Sequence, residues 1–299
     1  MPTLSDSALP PTSRAARLLR NPLVRIVLAL LSIAIPFAIV ATPFNLFVTD
    51  RALRAVGALL LTGVVLVAYR GYVRYVEKRA VSELSGKQAI PEVLSGLALG
   101  AFLFSATIGI LAALGVYQVT GINGWKPMLE GVAGFILFGV LEEVIMRGIV
   151  FRIIEQALGS WIALGISAVI FGALHLLNPG ATLANAAAIT VEGGVLLAAA
   201  YMLTRRLWLC IGLHIAWNFT QGGIFSVAVS GGSSEGLLQA RMVGPDWLTG
   251  GRFGAEASVV AWVICAAAGI TLLVLAVRKG RVVRPSWSER PLRAKQAGA

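Results

Sequence analysis

Residues 257–277 read ASVVAWVICAAAGITLLVLAV and contain no charged residue. A run of this length crosses about 30 Å of hydrocarbon as an α-helix and therefore predicts a transmembrane span. Seven further apolar runs occur at 24–48, 54–69, 92–117, 127–149, 160–177, 182–203 and 207–229. None alternates strictly between apolar and polar residues, as membrane strands do. The sequence therefore predicts an all-α, polytopic transmembrane helix bundle with about eight spans.

The composition agrees with a membrane protein. Of the 299 residues, 57% are apolar and 13% are charged, whereas about a quarter of the residues in soluble domains are charged. We expect a polar N-terminal arm (1–22), a single transmembrane domain (23–278) and a basic tail (279–299). The Gly-rich loop 230–256 is interpreted as a connector.

The chain has a net charge of +11, and its Lys and Arg residues are unevenly distributed between the two sides of the predicted spans. If the N-terminus is cytoplasmic, 20 of the 25 basic residues fall on the cytoplasmic side of the eight spans. The other side receives Arg51, Arg54, Lys126, Arg241 and Arg252. This positive-inside pattern predicts that both termini are cytoplasmic. It also predicts that the basic residues contact membrane lipid and that the protein does not bind nucleic acid.

Polar residues inside the apolar runs are the candidates for function. They are Glu142, Glu143 and Arg147 in the fourth run, His175 in the fifth, and His214 and Asn218 in the seventh. An ionisable side chain at the centre of a membrane helix costs ~2.5–3.5 kcal/mol. A set of them, containing both histidines of the chain, therefore indicates a site.

Helix geometry allows this set to meet. If the helix that bears Glu142 continues to Leu158, Gly159 and Ser160 can form a turn and an N-cap. Glu142 and His175 then each lie about sixteen residues, or ~24 Å, from that turn. Two antiparallel helices would hold them at matching depth.

The spacing within the fourth run suggests separate roles for its two acids. Glu143 and Arg147 are four residues apart with the acid first, which favours a helical ion pair. We expect that pair to be mainly structural. Glu142 lies about 100° around the helix from Glu143 and faces a different neighbour. It is the candidate general base.

Hydrolysis is the chemistry that fits the remaining residues. A partly desolvated carboxylate at Glu142 suits the deprotonation of water, and His175 would share or orient the proton. His214 and Asn218 lie on one helix face and can donate hydrogen bonds to the oxyanion of a tetrahedral intermediate. These residues predict a hydrolase of acyl or peptide bonds.

The pattern Glu-Glu-x-x-x-Arg (142–147), Phe-x-x-x-His (Phe171, His175) and His-x-x-x-Asn (His214, Asn218) resembles the CAAX protease and bacteriocin-processing family. These proteins, also called CPBP or Abi proteins, are glutamate-type intramembrane endopeptidases. The resemblance covers a motif core of about 127–225. It implies a metal-independent enzyme without cofactors that cleaves a protein or peptide, expected to be membrane-associated.

In the resemblance, Glu142 and His175 activate water, and His214 and Asn218 form the oxyanion hole. Eukaryotic prenyl-protein proteases of the family carry a further His in the second motif, where this chain continues Leu-Leu-Asn-Pro (176–179). This departure counts against cleavage of prenylated proteins and favours a bacterial member in the cytoplasmic membrane, whose substrate the sequence does not specify.

Alternatives remain open from the residues themselves. Glu192 either lines the same cavity or belongs with Gly193 and Gly194 to a close helix contact. Two His and two Glu would also suit a zinc hydrolase, although no His-Glu-x-x-His helix is present. Buried Glu and His residues serve as proton relays too, so a transporter, scaffold or immunity protein without catalysis is the third hypothesis.

Overall fold

Long helices dominate the structure, a computed structural model that describes residues 21–285. They are α1 (Pro22–Phe47), α2 (Arg51–Val76), α3 (Ala89–Ala113), α4 (125–158), α5 (Ser160–Leu177), α6 (Leu183–Thr204), α7 (208–224) and α8 (Val259–Arg278). One helix corresponds to each predicted apolar run, which confirms the all-α polytopic bundle. Most of the predicted N-terminal arm and tail, residues 1–20 and 286–299, lies outside the described range.

Two of these helices differ from the rest in membrane character. Across residues 21–285, six helices are long and apolar enough to cross a membrane by length and composition, and α4 and α7 are not among them. Helix α4 carries Glu142, Glu143 and Arg147 within one stretch, and α7 has only 17 residues. These two helices bear most of the polar set, so they depend on their neighbours for an environment that accepts charge.

The third apolar run ends differently from its prediction. Helix α3 stops at Ala113, and residues Tyr117–Ile122 form strand β1 instead of a final helical turn. Strand β1 pairs antiparallel with β2, Leu238–Met242. The loop 230–256 is therefore more than a connector, because it supplies a strand that ties the end of α3 to the loop.

The closest helix contact joins α3 and α7. A methyl group at Gly96 would lie 2.3 Å from the carbonyl oxygen of Leu209, and one at Gly100 would lie 2.3 Å from that of Leu213. From the other side, a methyl group at Gly212 would lie 2.4 Å from the carbonyl oxygen of Val93. Such small residues let two membrane helices approach at backbone distance. The contact fixes α7, and with it His214, against the bundle.

Ion pairs gather at the end of the bundle that the charge pattern predicts to be cytoplasmic. Glu77 lies 2.7 Å from Arg25, 2.7 Å from Arg79 and 2.9 Å from Arg152. The neighbouring pairs are Arg79–Glu83, Arg205–Glu155 and Arg206–Glu92. The bundle thus brings together five arginines, from four places in the sequence, that the charge pattern assigned to one side.

The turn between α4 and α5 agrees with the sequence except at its cap. Gly159 has φ +81° and itself occupies the N-cap position, whereas Ser160 is the first residue of α5. The Ser160 backbone N–H donates to Val283, and its hydroxyl accepts from the Val283 N–H. The prediction of Ser160 as N-cap is wrong because its hydroxyl anchors the start of the tail.

Candidate active site

Helix α4 points its two adjacent acids in different directions. The side chain of Glu143 is fully buried, whereas that of Glu142 is 31% exposed. The helix continues from Glu143 into a π-helical segment, Val144–Phe151. Glu143 therefore faces the protein interior, and Glu142 is the acid that solvent can reach.

Arg147 joins three helices beneath the site. Its Nη1 donates to Oε1 of Glu143 at 2.8 Å, so the predicted ion pair is present. Its Nη2 donates to the carbonyl oxygens of Gly193 and Gly194 in α6. Its guanidinium also lies 4.9 Å from the ring centre of Phe171 in α5, at cation–π distance. Arg147 thus links α4 to both α5 and α6.

His214 lies between the two acids. Its Nδ1 is 2.9 Å from Oε1 of Glu143, and its Nε2 is 3.8 Å from Oε2 of Glu142. The carboxylate of Glu143 accepts, so Nδ1 carries a hydrogen. The second distance is too long for a direct hydrogen bond. Glu143 therefore orients the imidazole and leaves Nε2 directed toward Glu142.

His175 ends α5 with a fixed ring orientation. Its Nδ1 lies 2.8 Å from the carbonyl oxygen of Phe171, and the two rings are 4.7 Å apart. Because a carbonyl oxygen only accepts, Nδ1 carries the hydrogen, and in the neutral ring Nε2 keeps its lone pair. His175 can therefore take up a proton at Nε2.

Two adjoining cavities contain the predicted residues. The outer cavity, about 200 Å³, is lined by Glu142, Met146, Phe171, Leu174, His175 and Asn178. The inner cavity, about 20 Å³, is lined by polar and apolar residues from three helices, α5, α6 and α7, and from the loop. Its polar lining consists of His175, Glu192, His214, Trp217, Asn218, Ser230 and Glu256. Phe171 and His175 line both cavities, so the cavities adjoin, with Glu142 in the wall of the outer one and His214 and Asn218 in the wall of the inner one.

The inner cavity contains residues that sequence reasoning missed. These are Glu256 and Ser230, which come from the loop interpreted as a connector. Glu192, which the sequence analysis had named as a candidate for this cavity, is buried in its wall. Burial raises the pKa of Glu256 to about 7. The available signal was an acid directly before the uncharged run 257–277, at the point where the chain enters the membrane.

No group of three or more His, Cys, Asp or Glu side chains among residues 21–285 is arranged to hold a metal ion. Nδ1 of His214 binds Glu143 and Nδ1 of His175 binds a backbone carbonyl, so the orientation of both rings is fixed through Nδ1. The arrangement can deprotonate a water molecule beside donors for a developing negative charge.

The sequence model of one family, "Type II CAAX prenyl endopeptidase Rce1-like", matches residues 124–220. The matched segment contains Glu142, His175, His214 and Asn218. No curated protein and no solved structure matches the chain. The match confirms the resemblance drawn from the three motifs. Over residues 124–220 the chain is similar to the Rce1-like CAAX endopeptidases, and this similarity indicates a membrane protease, a hydrolase of peptide bonds.

Proposed function

We propose that this protein is an intramembrane endopeptidase in which Glu142 and His175 activate water. The observation that carries the proposal is that both side chains line the outer cavity, which adjoins the cavity of His214 and Asn218. The outer cavity, at about 200 Å³, has room for several water molecules. A water molecule in the outer cavity has both the carboxylate of Glu142 and the imidazole of His175 in the wall around it.

The proton of the attacking water goes to Glu142. As the water oxygen bonds to the carbonyl carbon of the substrate, Glu142 takes one proton, and His175 accepts a hydrogen bond from the same water at Nε2. The bond from His175 Nδ1 to the Phe171 carbonyl holds the ring in the required tautomer. A positioned general base of this kind contributes about 10²–10⁴-fold in rate.

His214 and Asn218 stabilise the oxyanion. They lie four residues apart on α7 and line the inner cavity together. The side-chain amide of Asn218 supplies N–H donors. His214 donates from Nε2 when its ring is the doubly protonated imidazolium, a cation that lies between Glu142 and Glu143. Hydrogen-bond donors that are already in place before the reaction stabilise the oxyanion more than mobile water molecules do.

Glu143, Arg147 and Phe171 act as positioning residues. Glu143 orients His214, Arg147 neutralises Glu143, and Phe171 supplies the carbonyl that fixes His175. None of the three needs to touch substrate for this role. No metal takes part in the proposed reaction.

The substrate is a protein or peptide at the membrane. The family name points to chains that end in Cys-aliphatic-aliphatic-X with a prenylated Cys, whereas Leu-Leu-Asn-Pro at 176–179 departs from the motif of the eukaryotic prenyl-protein proteases. Because of this departure we propose a bacterial cytoplasmic membrane as its location, and the distribution of Lys and Arg supports a topology with both termini inside.

A reconstituted cleavage assay tests the proposal. The protein is placed in lipid nanodiscs with a quenched fluorescent peptide ending in Cys-aliphatic-aliphatic-X, either prenylated or unmodified, and products are identified by mass spectrometry. Glu142→Gln keeps the size of the side chain but removes the base, so we expect kcat to fall by about 10²–10⁴-fold. Glu130→Gln on the same helix, where Glu130 pairs with Arg51 near the surface, is the matched control and should keep full activity.

Contrary results have distinct meanings. Full activity in Glu142→Gln contradicts the assigned base. Loss of wild-type activity with a chelator, and its recovery with zinc, favours a metallohydrolase instead. If the wild type cleaves neither peptide, and N-terminal proteomics finds no product that depends on the protein in its native membrane, the protein is not a protease.

A further inference from the structure

Two carboxyl groups outside the three motifs face the inner cavity. Glu192 reaches it from α6 and is 6% exposed, and Glu256 reaches it from the turn before α8 and is 2% exposed. Glu256 lies outside the segment that matches the family, residues 124–220. Neither acid has a part in the activation of water described above.

The two acids have no Lys or Arg partner. Within the described chain, no ion pair involves Glu192 or Glu256, and the residues that line the inner cavity include no Lys or Arg. Arg147 reaches the same part of α6 but binds the carbonyl oxygens of Gly193 and Gly194. His214, as the imidazolium, brings one positive charge to this cavity, which offsets one ionised carboxylate but not two and therefore favours one shared proton.

The hydrogen bonds differ between the two acids. Oε1 of Glu256 accepts from the Ser230 backbone N–H at 2.6 Å and from its hydroxyl at 2.9 Å. Oε2 of Glu192 is buried and has no hydrogen-bond partner. The indole N–H of Trp217, another residue of the cavity wall, is also buried and unpartnered. Unsatisfied polar atoms around a cavity of about 20 Å³ suit one water molecule.

The other ionisable groups around Glu256 are few. His175 of α5 and His214 of α7 line the same cavity, and Cys265 of α8 lies within electrostatic range of both acids. On α3, Glu92 accepts a hydrogen bond from Arg206. Asp246, on the one-turn helix Asp246–Thr249, lies beside Gly251.

We propose that Glu192 and Glu256 hold one proton between them and deliver it, through a water molecule in the inner cavity, to the amine released when the peptide bond breaks. This role rests on the proposed peptidase activity. The inner cavity would then supply a proton as well as stabilise the oxyanion. The departing nitrogen needs this proton, and the ionised carboxylate of Glu142 carries none when the reaction starts.

The proton count balances. Glu142 takes one proton from water while the water oxygen bonds to the carbonyl carbon. When the C–N bond breaks, its electron pair stays on nitrogen, which receives the proton of the acid pair, and the pair is left doubly ionised. The proton on Glu142 then passes to the pair, and both sites return to their starting states.

Infrared spectroscopy tests the shared proton without a substrate. In nanodiscs at neutral pH, the wild type should show the C=O stretch of a protonated carboxyl group, which shifts in D₂O and disappears as the pH is raised. The double variant Glu192→Gln/Glu256→Gln should lack this band. Glu235→Gln, an exposed acid in the same loop, should retain it.

The pH dependence of cleavage tests the delivery step. In the wild type, kcat should fall as the pH rises, because the pair loses its shared proton. In Glu256→Gln we expect kcat to be at least about 10²-fold lower, with KM little changed and the alkaline fall absent. In Glu192→Gln the fall should move to lower pH, because Glu256 no longer has an acidic neighbour that favours its protonated form.

Two results would overturn the proposal. One is the absence of a protonated-carboxyl band in the wild type at neutral pH. The other is a folded Glu256→Gln variant with unchanged kcat and an intact alkaline fall. If Glu256→Gln does not fold, the wild-type infrared titration decides alone. Failure of the peptidase assignment is separate, since it appears as the absence of any peptide cleaved by the wild type, whatever the infrared result.

Discussion

Removal of the Arg147 side-chain charge should destabilise the whole bundle. Its guanidinium is buried and is the ion-pair partner of Glu143, which is fully buried. Removal of one partner from a buried pair costs about 3–5 kcal/mol. The Gly193 and Gly194 carbonyls also lose their donor, at about 1–3 kcal/mol for each buried group left unsatisfied. We therefore expect Arg147→Met to lose at least the upper part of the 3–5 kcal/mol range.

The chain provides its own reporters for this experiment. Its two cysteines, Cys210 and Cys265, are free and buried, so a thiol-reactive fluorogenic maleimide reacts only after the bundle opens. Cys210 lies on α7 and Cys265 on α8, which lets single-cysteine versions report on the site helix and the last helix separately. The midpoint of thermal labelling should fall strongly in Arg147→Met.

Two comparisons isolate the cause. Arg51 forms an exposed pair with Glu130, and Arg51→Ala should leave the midpoint unchanged because such pairs are screened by solvent. The double variant Glu143→Gln/Arg147→Met lacks both charges of this buried pair and keeps an acceptor for His214, so it should regain much of the loss. An Arg147→Met midpoint equal to that of Arg51→Ala, or no recovery in the double variant, would refute the reasoning.

Three further predictions use other parts of the molecule. Gly96→Ala should lower the labelling midpoint, because the added methyl meets the carbonyl of Leu209 and overpacking costs about 1–3 kcal/mol, whereas Gly109→Ala on the same helix faces open space and should be silent. Burial acts to raise the pKa of Glu77, but Arg152 and two other arginines outweigh it and lower that pKa. Its stabilisation is thus present at neutral pH and is lost as the pH falls below its ordinary value of 4.5, so Glu77→Gln should lower the midpoint at neutral pH and flatten its acid dependence. A fluorescent protein fused to the C-terminus should fluoresce in the cytoplasm, and a periplasmic reporter enzyme there should be inactive.

The sequence was sufficient where the deciding interactions are local. Apolarity alone located the helices, and the spacing of Glu143 and Arg147 predicted their ion pair. The proximity of Glu142 and His214 could also be predicted, because only a few helix faces in this chain carry ionisable groups. Each of these features depends on residues within one helix or on the simple alignment of neighbouring helices.

The loop side of the site was not predictable in the same way. Its path depends on the pairing of β1 with β2, which joins Tyr117 to Met242 across the sequence, and on a bond from the Gly231 N–H to the Phe253 carbonyl. No local pattern specifies partners so far apart. Glu256 therefore looked like an ordinary loop acid until tertiary contacts brought it into the inner cavity.

The helices around the site contain π-helical turns whose role cannot be inferred from the sequence. Among the described residues, π-helical segments follow directly after Glu143 and after Asn218, and a third, Thr190–Leu196, contains Glu192. Such turns occur frequently at functional sites. In the third segment, the carbonyls of Gly193 and Gly194 accept hydrogen bonds from Arg147.

The glycines of that segment explain how one short stretch serves both packing and chemistry. A methyl group at Gly193 would lie 2.2 Å from the ring of Phe171, and one at Gly194 would lie 2.7 Å from the Cα atom of Ala168. The absence of side chains there lets α5 approach α6 until Phe171 covers Arg147. The same approach fixes the Phe171 carbonyl that orients His175. Close packing at the glycines therefore positions His175, the proposed hydrogen-bond acceptor for the attacking water. The adjacent Glu192 faces the cavity, so the packing and functional interpretations of this stretch are not alternatives.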